Sequence, residues 1–95
     1  MTPKNGGRFD LKLVTSTPES AVYDAQLDTS VGTFRAQAQV GQRVDFGEWS
    51  NPEGAAPPAW LLADAHAALR AAFRSSRPEG RWPRRITRWR PEASD

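Results

Sequence analysis

The sequence predicts an α+β fold: a four-stranded antiparallel β meander covered on one face by one main helix, with a short C-terminal element completing the two layers. Three observations carry this expectation. Four successive short stretches alternate apolar and polar residues, compact turn chemistry joins them, and an alanine-rich stretch with helical periodicity follows. A sheet with one dry face needs a cover in water, and in 95 residues that stretch is the natural one.

The opening "MTPKNGG" has no apolar side chain after Met1 and reads as a frayed terminus over residues 1–7. "RFDLKLVTS" then sets Phe9, Leu11 and Leu13 on one face against Asp10 and Lys12 on the other, the pattern of a half-buried strand. Pro18 interrupts it. "AVYDAQLD" opposes Tyr23, Ala25 and Leu27 to Asp24, Gln26 and Asp28. "TFRAQAQV" turns Phe34, Ala36, Ala38 and Val40 inward, with Arg35, Gln37 and Gln39 outward. "GQR" suits a tight hairpin into "VDFGEW", where Val44 and Phe46 share a face.

"SNPEGAAPP" reads as a loop whose Pro57 and Pro58 fit the first turn of a helix. The helix is expected over 58–75. Leu62, Leu69 and Phe73 form a stripe flanked by Leu61, Ala65 and Ala72, while Asp64, Arg70 and Arg74 take the other side. Arg70 and Arg74 also complement the negative end of the helix dipole.

In "RWPRRITRWR", residues 81–90, two periods compete. As a helix, Trp82, Ile86 and Trp89 stand at i, i+4 and i+7 on one stripe. As a strand, Trp82 and Ile86 share a face with Arg84 and Arg88, and Trp89 points the other way. The helix template accommodates all three apolar residues and is preferred, against the intrinsic strand preference of Trp, Ile and Thr. On that reading Trp89 is a core residue, and its truncation costs on the order of 3 kcal/mol. The domain is expected to span 8–90, with 91–95 a free tail.

Residues 1–69 hold five Lys/Arg against eight Asp/Glu, whereas residues 70–95 hold eight Arg against three acids. A basic end on a mildly acidic body is a footprint of an electrostatic partner site. Eleven Arg against two Lys, with abundant Ala and Pro, is also the mix that a GC-rich genome imposes, which discounts the arginine signal. No apolar run reaches membrane-span length and there is no cysteine, so a soluble cytoplasmic protein without disulfides is expected.

Catalytic chemistry finds little footing in the pattern. His66, the one histidine, sits at the margin of the helix stripe without a nucleophile or an orienting carboxylate in a local motif. Asp24 and Asp28, four apart on one strand face, stand about 13 Å apart, beyond paired-carboxylate spacing. No phosphate-cradling glycine pattern occurs. The expectation is a non-catalytic binding or regulatory module without cofactor or metal, acting through contacts with a protein partner. Its candidate surface is Trp60 with Arg70, Arg74, Arg77, Arg81, Arg84, Arg85, Arg88 and Arg90. The alternative is a nucleic-acid-binding domain that sets the same arginines against phosphates.

Overall fold

A computed structural model of the chain describes residues 6–30, 32–76 and 81–91. Strands β1 (Gly6–Ser16), β2 (Ala21–Thr29), β3 (Gly32–Val40) and β4 (Val44–Phe46) form the expected antiparallel meander. Helix α1 (Ala59–Ser76) then crosses one face, chiefly over β1, β3 and β4. The chain returns as β5 (Arg85–Pro91), which pairs antiparallel with β1 and gives the sheet order β4-β3-β2-β1-β5. The fold is α+β, and its antiparallel sheet has five strands.

The alternation read from the sequence is the one that builds the core. Phe9, Leu11, Tyr23, Ala25, Leu27, Phe34, Ala38 and Val40 are buried beneath Leu61, Ala65, Leu69 and Ala72 of the helix. The helix runs 59–76, and its innermost line continues to Ser76. Leu62 and Phe73, placed at the centre of the stripe by periodicity, are half-buried on its flank.

Two elements correct the sequence reading. The strand expected over "VDFGEW" ends at Phe46: Gly47 N–H donates to the Gln37 carbonyl, and the chain rejoins β3 only at Ser50, opposite Arg35. That interruption sets Trp49 against the Phe46 ring, 5.3 Å between centroids, so the ring adds to the core. The larger correction concerns residues 82–90, which are not helical. Trp82 and Ile86 are buried at 7% and 8% exposure, whereas Trp89 is 43% exposed on the opposite face of the sheet.

The physical reason lies in β1. A meander of four strands would leave this eleven-residue strand as an open, flat edge, which sheets avoid. The pairing also brings the Arg85 and Thr87 side chains onto Asp10, which is 7% exposed beside them. Ladder hydrogen bonds and a satisfied carboxylate outweigh the burial of one tryptophan ring.

The strand β1 begins inside the segment read as a frayed terminus, and β5 runs through Pro91, where a tail was expected. Residues 1–5 and 92–95 lie outside the described residues. The two glycines are close-approach positions on opposite faces. A Cβ on Gly7 would stand 2.7 Å from Leu61 Cδ2 and 3.1 Å from the Asp28 carbonyl oxygen, so a larger residue there requires Leu61 to move. A Cβ on Gly6 would meet the Trp89 ring at 2.6 Å.

Candidate functional site

The sheet has one covered face and one open face, and the register assigns the side chains to them. On the open face stand Arg8, Asp10 and Lys12 of β1, with Arg85, Thr87 and Trp89 of β5 directly opposite in reverse order. Asp24, Gln26 and Asp28 of β2 lie beside Gln37, Arg35 and Thr33 of β3. Most of these polar groups bind one another. Arg85 grips Asp10 through two bonds of 2.8 and 2.7 Å, and Thr87 Oγ1 donates to the same carboxylate at 3.0 Å. This guanidinium holds the Asp10 carboxyl below the usual carboxylate range, and Asp10 in turn raises the Arg85 pKa.

Across β2 and β3, Asp28 accepts from Gln26 and Thr33, Gln26 accepts from Arg35, and Asp24 accepts from Gln37. A shallow concavity of about 430 Å³ is centred on this lattice. Its charges balance: Arg8, Lys12, Arg35 and Arg85 against Asp10, Asp24, Asp28 and Asp45. Among the described strand residues the face has no excess of either sign.

The second concavity, about 560 Å³, is the flank between α1 and β5. Phe9, Ala68, Ala71, Ala72 and Ile86 give it an apolar floor, and Arg88 and Arg90 stand on its strand side. The alanines make this groove, because side chains of one carbon cannot fill the space between helix and strand. Asp64 lies 3.8 Å from Arg90, with both side chains nearly half exposed, and a pair so hydrated binds weakly.

The outer edge of β5 belongs to the same flank. Leu13 N–H donates to the Arg84 carbonyl, which fixes the ladder: the N–H and C=O groups of 84, 86, 88 and 90 turn toward β1. Those of Arg85, Thr87 and Trp89 therefore turn outward. Among the described residues no strand lies beyond β5. The Thr87 carbonyl accepts from Arg88 Nη1 at 2.9 Å.

The structure disperses the residues nominated from sequence. Arg88 and Arg90 share the helix side of β5, Arg84 is exposed just before the strand, and Arg85 is engaged on the open face. Arg70 lines a small recess with His66, Arg43 and Asp45 on the other flank of α1, and Arg74 is exposed in the last helical turn. Arg81 is exposed and has a partner of its own; Arg77 lies outside the described residues.

Trp60 is half-buried, packed against the core above Gly7. His66 packs its ring 6.4 Å from Phe46 at the margin of the core. Among the described residues no group of three or more His, Cys, Asp and Glu could hold a metal ion, and no helix is long and apolar enough to cross a membrane.

Sequence reasoning missed the alanine flank and the outward backbone of Arg85, Thr87 and Trp89. The available signal was the unpaired edge of β1, which called for a partner and so for a strand at 85–91. Comparison with protein-family models, curated proteins and solved structures returned no match, and the geometry of the flank stands as the guide to function.

Proposed function

We propose that this protein is a non-catalytic binding module acting through protein contacts, and that its contact surface is the α1–β5 flank. One observation carries the reading: an edge strand with outward backbone groups runs beside an apolar groove that the helix leaves unfilled. A sheet edge beside a groove recognises extended peptides, with main-chain bonds giving affinity and alternate side chains giving selectivity. The open face lends such a role less support, because most of its polar side chains are bound to one another.

Nucleic-acid binding through a continuous arginine ridge draws less support. The arginines stand on both faces of the sheet and on both flanks of the helix, and Arg85 is held by Asp10.

Panning a library of linear peptides against the folded protein tests the reading, with a Thr87→Pro variant as counter-selection. The Thr87 N–H points away from β1, so proline removes an outward donor and leaves the ladder intact. Thr87→Val controls for the lost bond to Asp10. The expected ligands bind the wild type and the Thr87→Val variant, fail on Thr87→Pro, and shift the amide resonances of Arg85, Thr87 and Trp89. Ligands that map to the open face, or an empty selection, would remove the flank from consideration.

A further inference from the structure

The charges on β5 say what kind of strand fits beside it. We propose that the occupant of the α1–β5 flank is an extended acidic segment of another protein, adding as a sixth strand beside β5. Carboxylates stand opposite Arg84 and Arg88, and a β-branched apolar residue stands opposite Ile86. The inference rests on the flank being the contact surface, as proposed above, and deepens it by naming the partner's chemistry.

The register follows from the backbone. Because 85, 87 and 89 turn their N–H and C=O groups outward, an added strand makes its main-chain bonds at those positions, taking the Thr87 carbonyl from Arg88 Nη1, which turns to the incoming carboxylate. Its residues facing 84, 86 and 88 then form the non-hydrogen-bonded pairs, whose side chains stand closest, with Cα atoms about 4.5 Å apart. Of these, Ile86 and Arg88 are β5 side chains on the helix side, and Arg84 immediately precedes the strand, its carbonyl bonded to Leu13 N–H. The complementary strand alternates acid, apolar and acid at every second residue. Its apolar side chain continues the line of Ile86 towards the alanine floor of the groove.

The same charges argue against a second copy of this chain. The run "RRITRWR" over 84–90 has four arginines and no acid. An antiparallel pairing centred on Thr87 sets Arg84 against Arg90 at both ends. One centred on Ile86 sets Arg84 against Arg88, and one centred on Arg88 sets that residue against itself. Like charges directly opposite destabilise a strand pair. Arginines along the edge thus discourage self-pairing and leave an acidic strand as the complement.

A single-stranded nucleic acid fits less well. The exposed Trp89 ring lies over Gly6 on the open face, whereas Arg88 and Arg90 stand on the helix side. One nucleotide strand cannot stack on that ring and set its phosphates against those arginines.

The experiment titrates the folded protein with three seven-residue peptides, followed by amide chemical shifts. In each, threonine occupies every odd position and valine the fourth. The second and sixth positions carry glutamate, glutamine or lysine. The glutamate peptide is expected to shift the amides of Arg85, Thr87 and Trp89. The glutamine peptide should bind about fivefold more weakly, the difference that two cross-strand ion pairs of ordinary strength supply. The lysine peptide should bind more weakly still, and added salt should narrow the differences. An Arg88→Glu variant, changed only at an exposed side chain, should lose the preference and bind the glutamate and lysine peptides about equally, because Arg84 and the new glutamate then favour opposite charges.

Equal binding of the glutamate and glutamine peptides at β5 would overturn the acidic inference and leave the contact surface standing. Absence of β5 shifts with every peptide would overturn both. An oligothymidylate that shifts the same amides at lower concentration than the glutamate peptide would replace a protein partner with nucleic acid. Dimerisation at rising protein concentration, abolished by Thr87→Pro, would replace it with a second copy.

Discussion

Residues 81–84 and 85–91 belong to one arginine-rich run, yet they do opposite things. In the first part Trp82 plugs the core beneath the end of α1. Its ring lies 6.4 Å from Tyr23 and 6.1 Å from Phe73, its Nε1–H donates to the Thr17 carbonyl at 2.8 Å, and the Pro83 carbonyl accepts from the Tyr23 hydroxyl. In the second part Trp89 sits on the open face, over Gly6 and opposite Arg8, with much of its ring in solvent. Identical residue types seven positions apart are core and surface because strand alternation, rather than composition, assigns faces. The first part anchors the segment to the domain, and β1 holds the second as an edge.

The largest expected effect tests the anchor. Trp82→Ala should destabilise the protein by about 3–5 kcal/mol in urea or thermal denaturation, the scale of buried aromatic truncations. It removes a ring packed between two others and also strands the Thr17 carbonyl. A loss below about 1 kcal/mol would erase the distinction between the two parts.

Tyr23→Phe should cost about 1 kcal/mol, the net worth of its hydrogen bond to Pro83. It also carries a signature at high pH. Burial pushes the Tyr23 pKa up to about 12 from its ordinary value of 10.0. A raised folded value means that stability is complete below 10.0 and is lost as pH rises through about 12, because the unfolded tyrosine ionises first. Denaturation curves between pH 9 and 12 should show a steeper decline for the wild type than for Tyr23→Phe.

These anchors indicate how far the fold could be read from sequence alone. Period-two alternation placed Phe9, Leu11, Tyr23, Leu27 and Phe34 correctly, because a sheet buried on one face writes its inside and outside into every second residue. The helix was legible for the same reason at period 3.6. Residues 82–90 were misread because the template rewarded burying every aromatic, and no local pattern records that a distant strand lacks a neighbour. Asp10 and β1 decided the outcome from more than seventy residues away. The candidate site was less legible still. Its arginines could be counted, but their division between faces depends on the register, and the groove arises from alanines that give no chemical signal of their own.

Asp10 joins β1 to the second part and should be visible as a slope against pH. Its folded pKa is depressed, first by the Arg85 hydrogen bonds, so its contribution is complete above the ordinary carboxylate value of 3.8. That contribution is lost as pH falls through 3.8 towards the lower folded value. Between pH 5 and 2, the wild type should lose more stability than Asp10→Asn, once both curves are referred to pH 7. Equal slopes would mean that Arg85 and Thr87 do not hold the carboxylate in solution, and that β5 docks by its backbone alone.

The smallest effect belongs to Trp89. A helix at 82–90 would make its loss cost on the order of 3 kcal/mol, as for any buried aromatic. On an open sheet face Trp89→Ala should cost about 0.5 kcal/mol, in the range of surface changes. The ring still has one neighbour, and Gly6 makes it measurable. Gly6→Ala pushes a Cβ into the indole, which must lift off the strand and lose its contact there. In the Trp89→Ala background the same methyl meets no ring, and the alanine gains from the entropy it removes from the unfolded chain. Gly6→Ala should therefore be more favourable in the variant than in the wild type, giving a coupling of about 0.5 kcal/mol or more. A coupling near zero would place the indole away from β1 in solution, and would free the open face beside Arg8 from the ring that now covers it.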